Sequence, residues 1–158
     1  MKKTALIFFM FGLTSSCKQA NTLSNNEKKL IKQEAKQMLD NYYNDIRQKG
    51  LLAELDYLDN SADFFWVPPG YSNAITYDSV VSVLKQNAPQ FKSIDNSFKS
   101  LQIFPLNNQL ASYTGKLIAT MTDTSGKVTN IHLIETGVIV KRTNGWKLLN
   151  GQTAILNP

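Results

Sequence analysis

The stretch from Gln109 to Arg142 limits the possible folds more than any other part of the chain. Ala111, Tyr113, Leu117, Ala119 and Met121 alternate with Ser112, Thr114, Lys116, Thr120 and Thr122. A period of two held over that length predicts a long strand with one face on a core. Asp123-Thr124-Ser125-Gly126 follows, with Asp at the first turn position and Gly at the fourth, the pattern of a type I turn closed by a left-handed glycine. The chain then returns from Lys127 to Arg142. With Thr124, Ser125 and Gly126 as the loop, Asp123 pairs with Lys127, Gly115 faces Glu135 and Leu117 faces Leu133. Ile131, Leu133, Glu135, Gly137 and Ile139 then share the inner face with Tyr113 and Leu117, and His132 points outward. A slip of one residue exchanges the two sides. Gly115 and Gly137 interrupt two otherwise regular strands. Glycine at such places marks a bend or bulge, so the sheet is expected to curl there around a helix.

The segments before the hairpin supply helices. Ser24-Asn25-Asn26-Glu27 fits a capping box. Leu30/Ile31, Ala35, Met38/Leu39, Tyr42/Tyr43 and Ile46 continue as one helical stripe, and Gly50 is a natural C-cap. Leu51, Leu52, Leu55 and Leu58 read as a short second helix. Ala62–Val67 is strand-like and aromatic, and Pro68-Pro69-Gly70 ends it. Thr76 can cap a third helix with Val80, Val81 and Leu84 on its apolar side, stopped by Ala88-Pro89. Phe91 to Phe104 is a further strand with Phe98, Leu101 and Ile103 as its core residues. The last strand opens at Trp146, after Thr143-Asn144-Gly145. Helices first and a meander of four antiparallel strands after them predict an α+β fold, a curved antiparallel sheet wrapped around N-terminal helices.

The first residues predict export. Met1-Lys2-Lys3 is basic, Thr4 to Leu13 is apolar, and Thr14-Ser15-Ser16 are small. That is a signal-peptide pattern, too short to span a bilayer. Cys17, the only cysteine, comes directly after it and has no partner for an internal disulfide. Its position resembles the lipobox of bacterial lipoproteins, although Thr14 stands where Leu is usual. The expected organisation is therefore a signal peptide over 1–16, a lipidated cysteine and flexible tether over 17–26, and one domain over 27–156. The expected location is the bacterial cell envelope, with the membrane as a partner through lipid on Cys17. Without Lys2 and Lys3 the net charge falls from +5 to +3, and the two arginines are Arg47 and Arg142. No basic cluster with interleaved aromatics exists, which argues against a nucleic-acid partner.

Tyr113-Thr114-Gly115-Lys116, Glu135-Thr136-Gly137-Val138-Ile139-Val140-Lys141-Arg142 and Asn144-Gly145-Trp146-Lys147-Leu148-Leu149, with Gln152-Thr153-Ala154 after them, resemble the nuclear transport factor 2-like superfamily, and within it the SnoaL-like branch. The resemblance runs from about Glu27 to Leu156. It implies a cone-shaped half-barrel with an apolar pocket, and frequent dimers through the outer sheet face. Ile118, Ile134, Val138 and Val140 are the outer residues that would form such a homodimer patch. The superfamily includes ketosteroid isomerase, in which a carboxylate base works with a tyrosine and a protonated aspartate. By that resemblance Tyr43 falls at the tyrosine position. Val67 stands where the base is expected and Gly137 near the second aspartate, so two of three roles are empty.

Other chemistries lack their residues. A metal site needs several converging ligands, and the chain has one histidine, His132, and one cysteine in the leader, so no metal or cofactor is expected. An outward His132 also removes a Ser-His-Asp or Cys-His set. No glycine-rich phosphate loop exists. Asp63 reads as a solvated carboxylate at a strand edge. Glu135 is the one carboxylate with a route inside, and there desolvation would raise its pKa. Tyr42, Tyr43, Phe64, Phe65, Trp66 and Tyr113 either line a cavity or fill it. Tyr43, Trp66, Tyr113 and Glu135 are the candidate ligand-pocket residues. The expected function is a membrane-anchored lipoprotein whose non-catalytic domain binds a small apolar ligand or a protein partner. The alternative is an enzyme doing acid–base chemistry on a small hydrophobic substrate through Glu135 and a tyrosine.

Overall fold

A computed structural model describes residues 22–156. The expected signal peptide, Cys17 and most of the tether lie outside the described residues. Helix α1 (Asn25–Lys49) starts where the capping box puts it. The Ser24 backbone N–H donates to Glu27 Oε2 at 2.8 Å, and the Glu27 N–H donates to Ser24 Oγ at 3.3 Å. This cap draws Asn25 and Asn26, assigned to the tether, into the first helical turn. The buried stripe is Ile31, Ala35, Met38, Leu39, Tyr42, Tyr43 and Ile46. Gly50, at φ 90°, ends the helix.

The second helix is a 3₁₀ turn over Leu51–Asp56. Leu58 lies beyond it and forms a bridge to Leu148. Strand β1 is only Phe65–Val67, shorter than the aromatic run, with Phe64 buried and Phe65 exposed. Helix α2 (Tyr77–Asn87) is capped by Thr76 and buries Val80 and Leu84. Its Tyr77 ring meets Phe64 edge-on at 5.8 Å.

The meander is β2 (Phe91–Pro105), β3 (Leu110–Asp123), β4 (Val128–Arg142) and β5 (Gly145–Ile155). The spatial order is β1-β5-β4-β3-β2. β2 to β5 pair antiparallel, but β1 runs parallel to β5, pairing Phe65 with Asn150 and Val67 with Gln152. The sheet is therefore mixed, with β1 and β2, neighbours among the strands in sequence, at its opposite edges.

Gly126 adopts φ 88° and the Asp123 N–H donates to the Lys127 carbonyl at 3.1 Å. This turn pairs Gly115 with Glu135 and Leu117 with Leu133. Glu135 is consequently inside, and His132 is exposed. In β2, Ile94 is the fully buried residue, while Phe98, Leu101 and Ile103 are half-buried. The register of β2 shifts between Phe98 and Ser100, beside Gly115, and that of β4 against β5 shifts between Val138 and Ile139, beside Gly137. On the outer face Ile118, Ile134 and Val138 are half-buried and Val140 is buried, and a 3.0 Å contact between the Thr114 and Thr136 hydroxyls runs among them.

Candidate functional site

Five elements meet at one carboxylate. The hairpin register aims Glu135 of β4 inward, and the ladder to β5 sets Thr153 directly across from it. Tyr43 arrives from the buried stripe of α1, and Tyr113 from β3. The Tyr43 hydroxyl donates to Glu135 Oε1 at 3.0 Å and the Tyr113 hydroxyl donates to the same oxygen at 2.7 Å. Thr153 Oγ1 donates to Oε2 at 3.0 Å. Trp66 of β1 completes the set, its Nε1 donating to Thr153 Oγ1 at 3.1 Å. Glu135 is 5% exposed and Tyr113 1%. The structure thus brings Tyr43, Trp66, Tyr113 and Glu135 together, with Thr153 as the link between the carboxylate and the indole.

Three glycines make this packing possible through space rather than through backbone freedom, since none of them has a positive φ. A Cβ on Gly137 would lie 3.0 Å from Tyr113 Cε1 and 3.1 Å from Trp66 Cη2. One on Gly151 would lie 2.8 Å from Trp66 Cη2, and one on Gly115 2.5 Å from Phe98 Cε1. The Phe98 ring, seated over Gly115, packs edge-on against Tyr43 at 5.1 Å.

Burial pushes the Glu135 carboxyl upward, and the three hydroxyl donors oppose that rise without cancelling it. Burial, and next the negative charge of Glu135, hold the Tyr113 and Tyr43 hydroxyls well above the usual tyrosine range, so both remain donors. A second carboxylate belongs to this neighbourhood. Desolvation, then the charge of Glu135, push Glu54 up to about 7, and nearby Tyr42 opposes the rise. Sequence reading missed Glu54. A 3₁₀ turn has three residues per turn, so Glu54 projects on the same side as the half-buried Leu51. It also passed over Thr153, whose role exists only once the β4–β5 register is known.

The Glu54 shift has a measurable consequence. A carboxyl raised in the folded state binds a proton that the unfolded chain has released. Its stabilising contribution is complete below the unfolded value of 4.5 and is lost as pH rises to about 7. Glu54→Gln is expected to remove this fall. Urea midpoints of wild type and variant should diverge between those pH values, with the variant the more stable above pH 7. Parallel profiles would contradict the placement of Glu54.

Around the cluster, the aromatic residues mostly fill space. Tyr42, Tyr43, Phe64 and Tyr113 are buried in the main core, and Phe65 faces solvent. Asp63 is exposed, as a solvated carboxylate would be, and Val67 is half-buried. Among the described residues no three His, Cys, Asp or Glu side chains are grouped to hold a metal ion. A groove of about 410 Å³ between α1 and β2 reaches the cluster at Tyr43. Tyr43, Phe98 and Leu101 line it together with Lys36, Asp40, Arg47 and Lys99. The Lys36 ammonium lies 2.6 Å from Asp40 and the Arg47 guanidinium 3.8 Å from Asp95, while Lys99 has no carboxylate partner among the described residues and leaves the groove net positive.

The model of the SnoaL-like domain matches residues 35–157. No curated protein sequence matches. Solved structures do. A protein from Novosphingobium aromaticivorans assigned as a scytalone dehydratase is 11% identical, with a TM-score of 0.75, and the match covers 85% of this chain and 89% of that one. A nuclear transport factor 2-like superfamily protein from Salmonella enterica is 13% identical, with a TM-score of 0.69 and coverage of 82% and 94%. A type 2 hexachlorocyclohexane dehydrochlorinase (LinA) is 9% identical, with a TM-score of 0.67 and coverage of 85% and 90%. At these identities the likeness shows the fold alone.

Proposed function

The chain belongs to the SnoaL-like domain family, and from that premise we propose that its domain binds a small, largely apolar molecule without transforming it, as part of an exported lipoprotein held to the cell envelope by Cys17. The observation that carries this reading is the state of Glu135. Both its oxygens are occupied by protein hydroxyls, two on Oε1 and one on Oε2. A general base must have reach to a substrate proton, and here tyrosine and threonine occupy that reach. Glu135 acts as the fixed acceptor that holds Tyr43 in place. The ligand lies in the groove beyond Tyr43, on the Phe98 ring, with a negative or polar end toward Arg47 and Lys99. A volume of about 410 Å³ is within the range of small-molecule sites.

A mixture of small aromatic and aliphatic carboxylates, observed by ligand-detected NMR over hours, tests this. Binding should appear, fall at least tenfold in Phe98→Ala, survive in Glu135→Gln, and produce no new signals. Absence of any binder at millimolar concentration would defeat the proposal. Mass spectrometry of the membrane fraction tests the anchor separately, and an unmodified Cys17 in the mature protein would remove it.

One observation favours a second reading, acid–base catalysis on a small hydrophobic substrate. Glu54 and Glu135 are both raised, and a carboxyl near 7 suits proton transfer at neutral pH. The fold neighbours include a protein assigned as a dehydratase and a dehydrochlorinase. In the same NMR experiment this reading gives time-dependent product signals that Glu54→Gln abolishes.

A further inference from the structure

The cluster and its groove leave one end of the molecule unaccounted for. α1 and β2 run antiparallel: Arg47 comes within 3.8 Å of Asp95, and further back along the helix Lys32 and Lys36 share a cavity of about 530 Å³ with Leu101, Ile103 and Phe104. The start of α1 therefore lies at the same end as Phe104 and the turn that follows β2. Lys28, Lys32 and Lys36 stand four residues apart on α1, with Lys29 beside them, and all four are exposed. Of these, Lys36 has Asp40 as its partner. Among the described residues no carboxylate pairs with Lys28, Lys29 or Lys32. The acids closest in sequence are engaged elsewhere: Glu27 caps the helix, and Glu34 takes Lys141 at 2.6 Å and the Trp146 indole at 2.9 Å. Two large apolar side chains are exposed at this same end, Phe104 at 49%, on the outer sheet face with its partner Ser112, and Leu106 at 56%, in the turn after β2.

We propose that this end of the domain, where Lys28, Lys29, Lys32, Phe104 and Leu106 are all exposed, docks on the surface of an anionic phospholipid bilayer. Three unpaired ammonium groups are complementary to a negative headgroup layer, and their long apolar stems let the heads reach it. An aromatic and an aliphatic side chain exposed at the same end suit shallow insertion at the acyl boundary. A soluble acidic protein would satisfy the lysines but leave Phe104 and Leu106 without an apolar counterpart. Connectivity agrees, because the chain before α1 leads back to Cys17 from this same end. That last argument rests on the anchored reading; the charge and exposure arguments do not.

The test uses the full chain with Cys17→Ser, so that no acyl chain contributes. Sedimentation is compared with vesicles of phosphatidylcholine alone and of equal parts phosphatidylcholine and phosphatidylglycerol. The apolar and basic leader is the same in every variant, so differences between variants report the patch. Wild type should prefer the anionic vesicles and lose that preference in high salt. Lys28→Gln/Lys29→Gln/Lys32→Gln should weaken binding to them on the order of 100-fold. Phe104→Ser should weaken binding to both vesicle types, with the thermal midpoint unchanged in either variant. Equal binding by wild type and the triple lysine variant overturns the proposal. So does loss of binding that tracks loss of folding in both variants. Because the acyl anchor is absent throughout, failure of lipidation at Cys17 and failure of surface docking are read independently.

Discussion

Replacement of Glu135 by alanine is expected to cost about 3–5 kcal/mol of folding stability, a large part of the roughly 5–15 kcal/mol available to a domain. The carboxylate is the common acceptor for Tyr43, Tyr113 and Thr153. Its removal leaves three hydroxyls facing a void, each with a desolvation cost that no new partner repays. Leucine fills the void but strands the same donors, so Glu135→Leu should also destabilise strongly. Glutamine behaves differently. Its carbonyl oxygen can accept both tyrosines while its amide donates to Thr153 Oγ1, which still accepts from Trp66. The threonine hydroxyl hydrogen and the second amide hydrogen are left without partners, so glutamine should cost far less than alanine or leucine.

The pH dependence sharpens that comparison. Burial raises the folded-state pKa of Glu135 above its ordinary value. The stability it contributes is complete below the unfolded-state value of 4.5 and falls as pH rises through the folded-state value. The protonated acid matches glutamine in accepting from both tyrosines on one oxygen and donating to Thr153 from the other position, differing by one amide hydrogen. Wild type and Glu135→Gln should therefore approach one another in acid, and the variant should gain on wild type as pH increases. Equilibrium urea unfolding across pH decides this, once Glu54→Gln has been introduced into both chains to remove the other rising carboxyl. A Glu135→Ala variant within 1 kcal/mol of wild type would mean that the cluster is not closed as described.

How much of this was legible beforehand depended on whether the cause was local. The Asp123-to-Gly126 turn fixes a register, and the register alone turns Glu135 inward and His132 outward. The capping box likewise fixes the start of α1, and through the helical period the inward aim of Tyr43. Nothing within Phe65–Val67 indicates that its partner is Asn150–Gln152 or that the pairing is parallel, because the choice is made by the packing of the sheet as a whole. Glu54 gave no signal, because one glutamate within a run of leucines reads as the solvated side of a short helix. Thr153 carries no signal of its own: threonine is common in strands, and its hydroxyl matters only because Glu135 stands opposite. Gly115 and Gly137 stood out as breaks in regular strands, and the structure gives them a more specific role as seats for Phe98, Tyr113 and Trp66.

Gly151 was not singled out, yet it should tolerate a side chain least. An added Cβ would lie 2.4 Å from the Thr136 carbonyl oxygen, 2.8 Å from Gly137 Cα and 2.8 Å from Trp66 Cη2. Two of these three atoms are backbone on the neighbouring strand, where Gly137 pairs directly with Gly151. Relief requires β4 and β5 to separate two rungs from the Glu135–Thr153 pair, on the same face of the sheet, so strain reaches the cluster as well as the ladder. Gly151→Ala is expected to destabilise by about 3 kcal/mol, the upper part of the usual range for overpacking. At Gly115 the two closest atoms belong to the Phe98 ring, at 2.5 and 2.7 Å, with the Ser100 carbonyl at 2.9 Å. The ring can retreat, so Gly115→Ala should cost less and should be partly rescued by Phe98→Leu. Trp66→Leu should not rescue Gly151→Ala, because the carbonyl at 2.4 Å remains. Chemical denaturation of the two single and two double variants separates the cases. Full rescue of Gly151→Ala by Trp66→Leu would show that the indole, rather than the spacing of β4 and β5, demands glycine there.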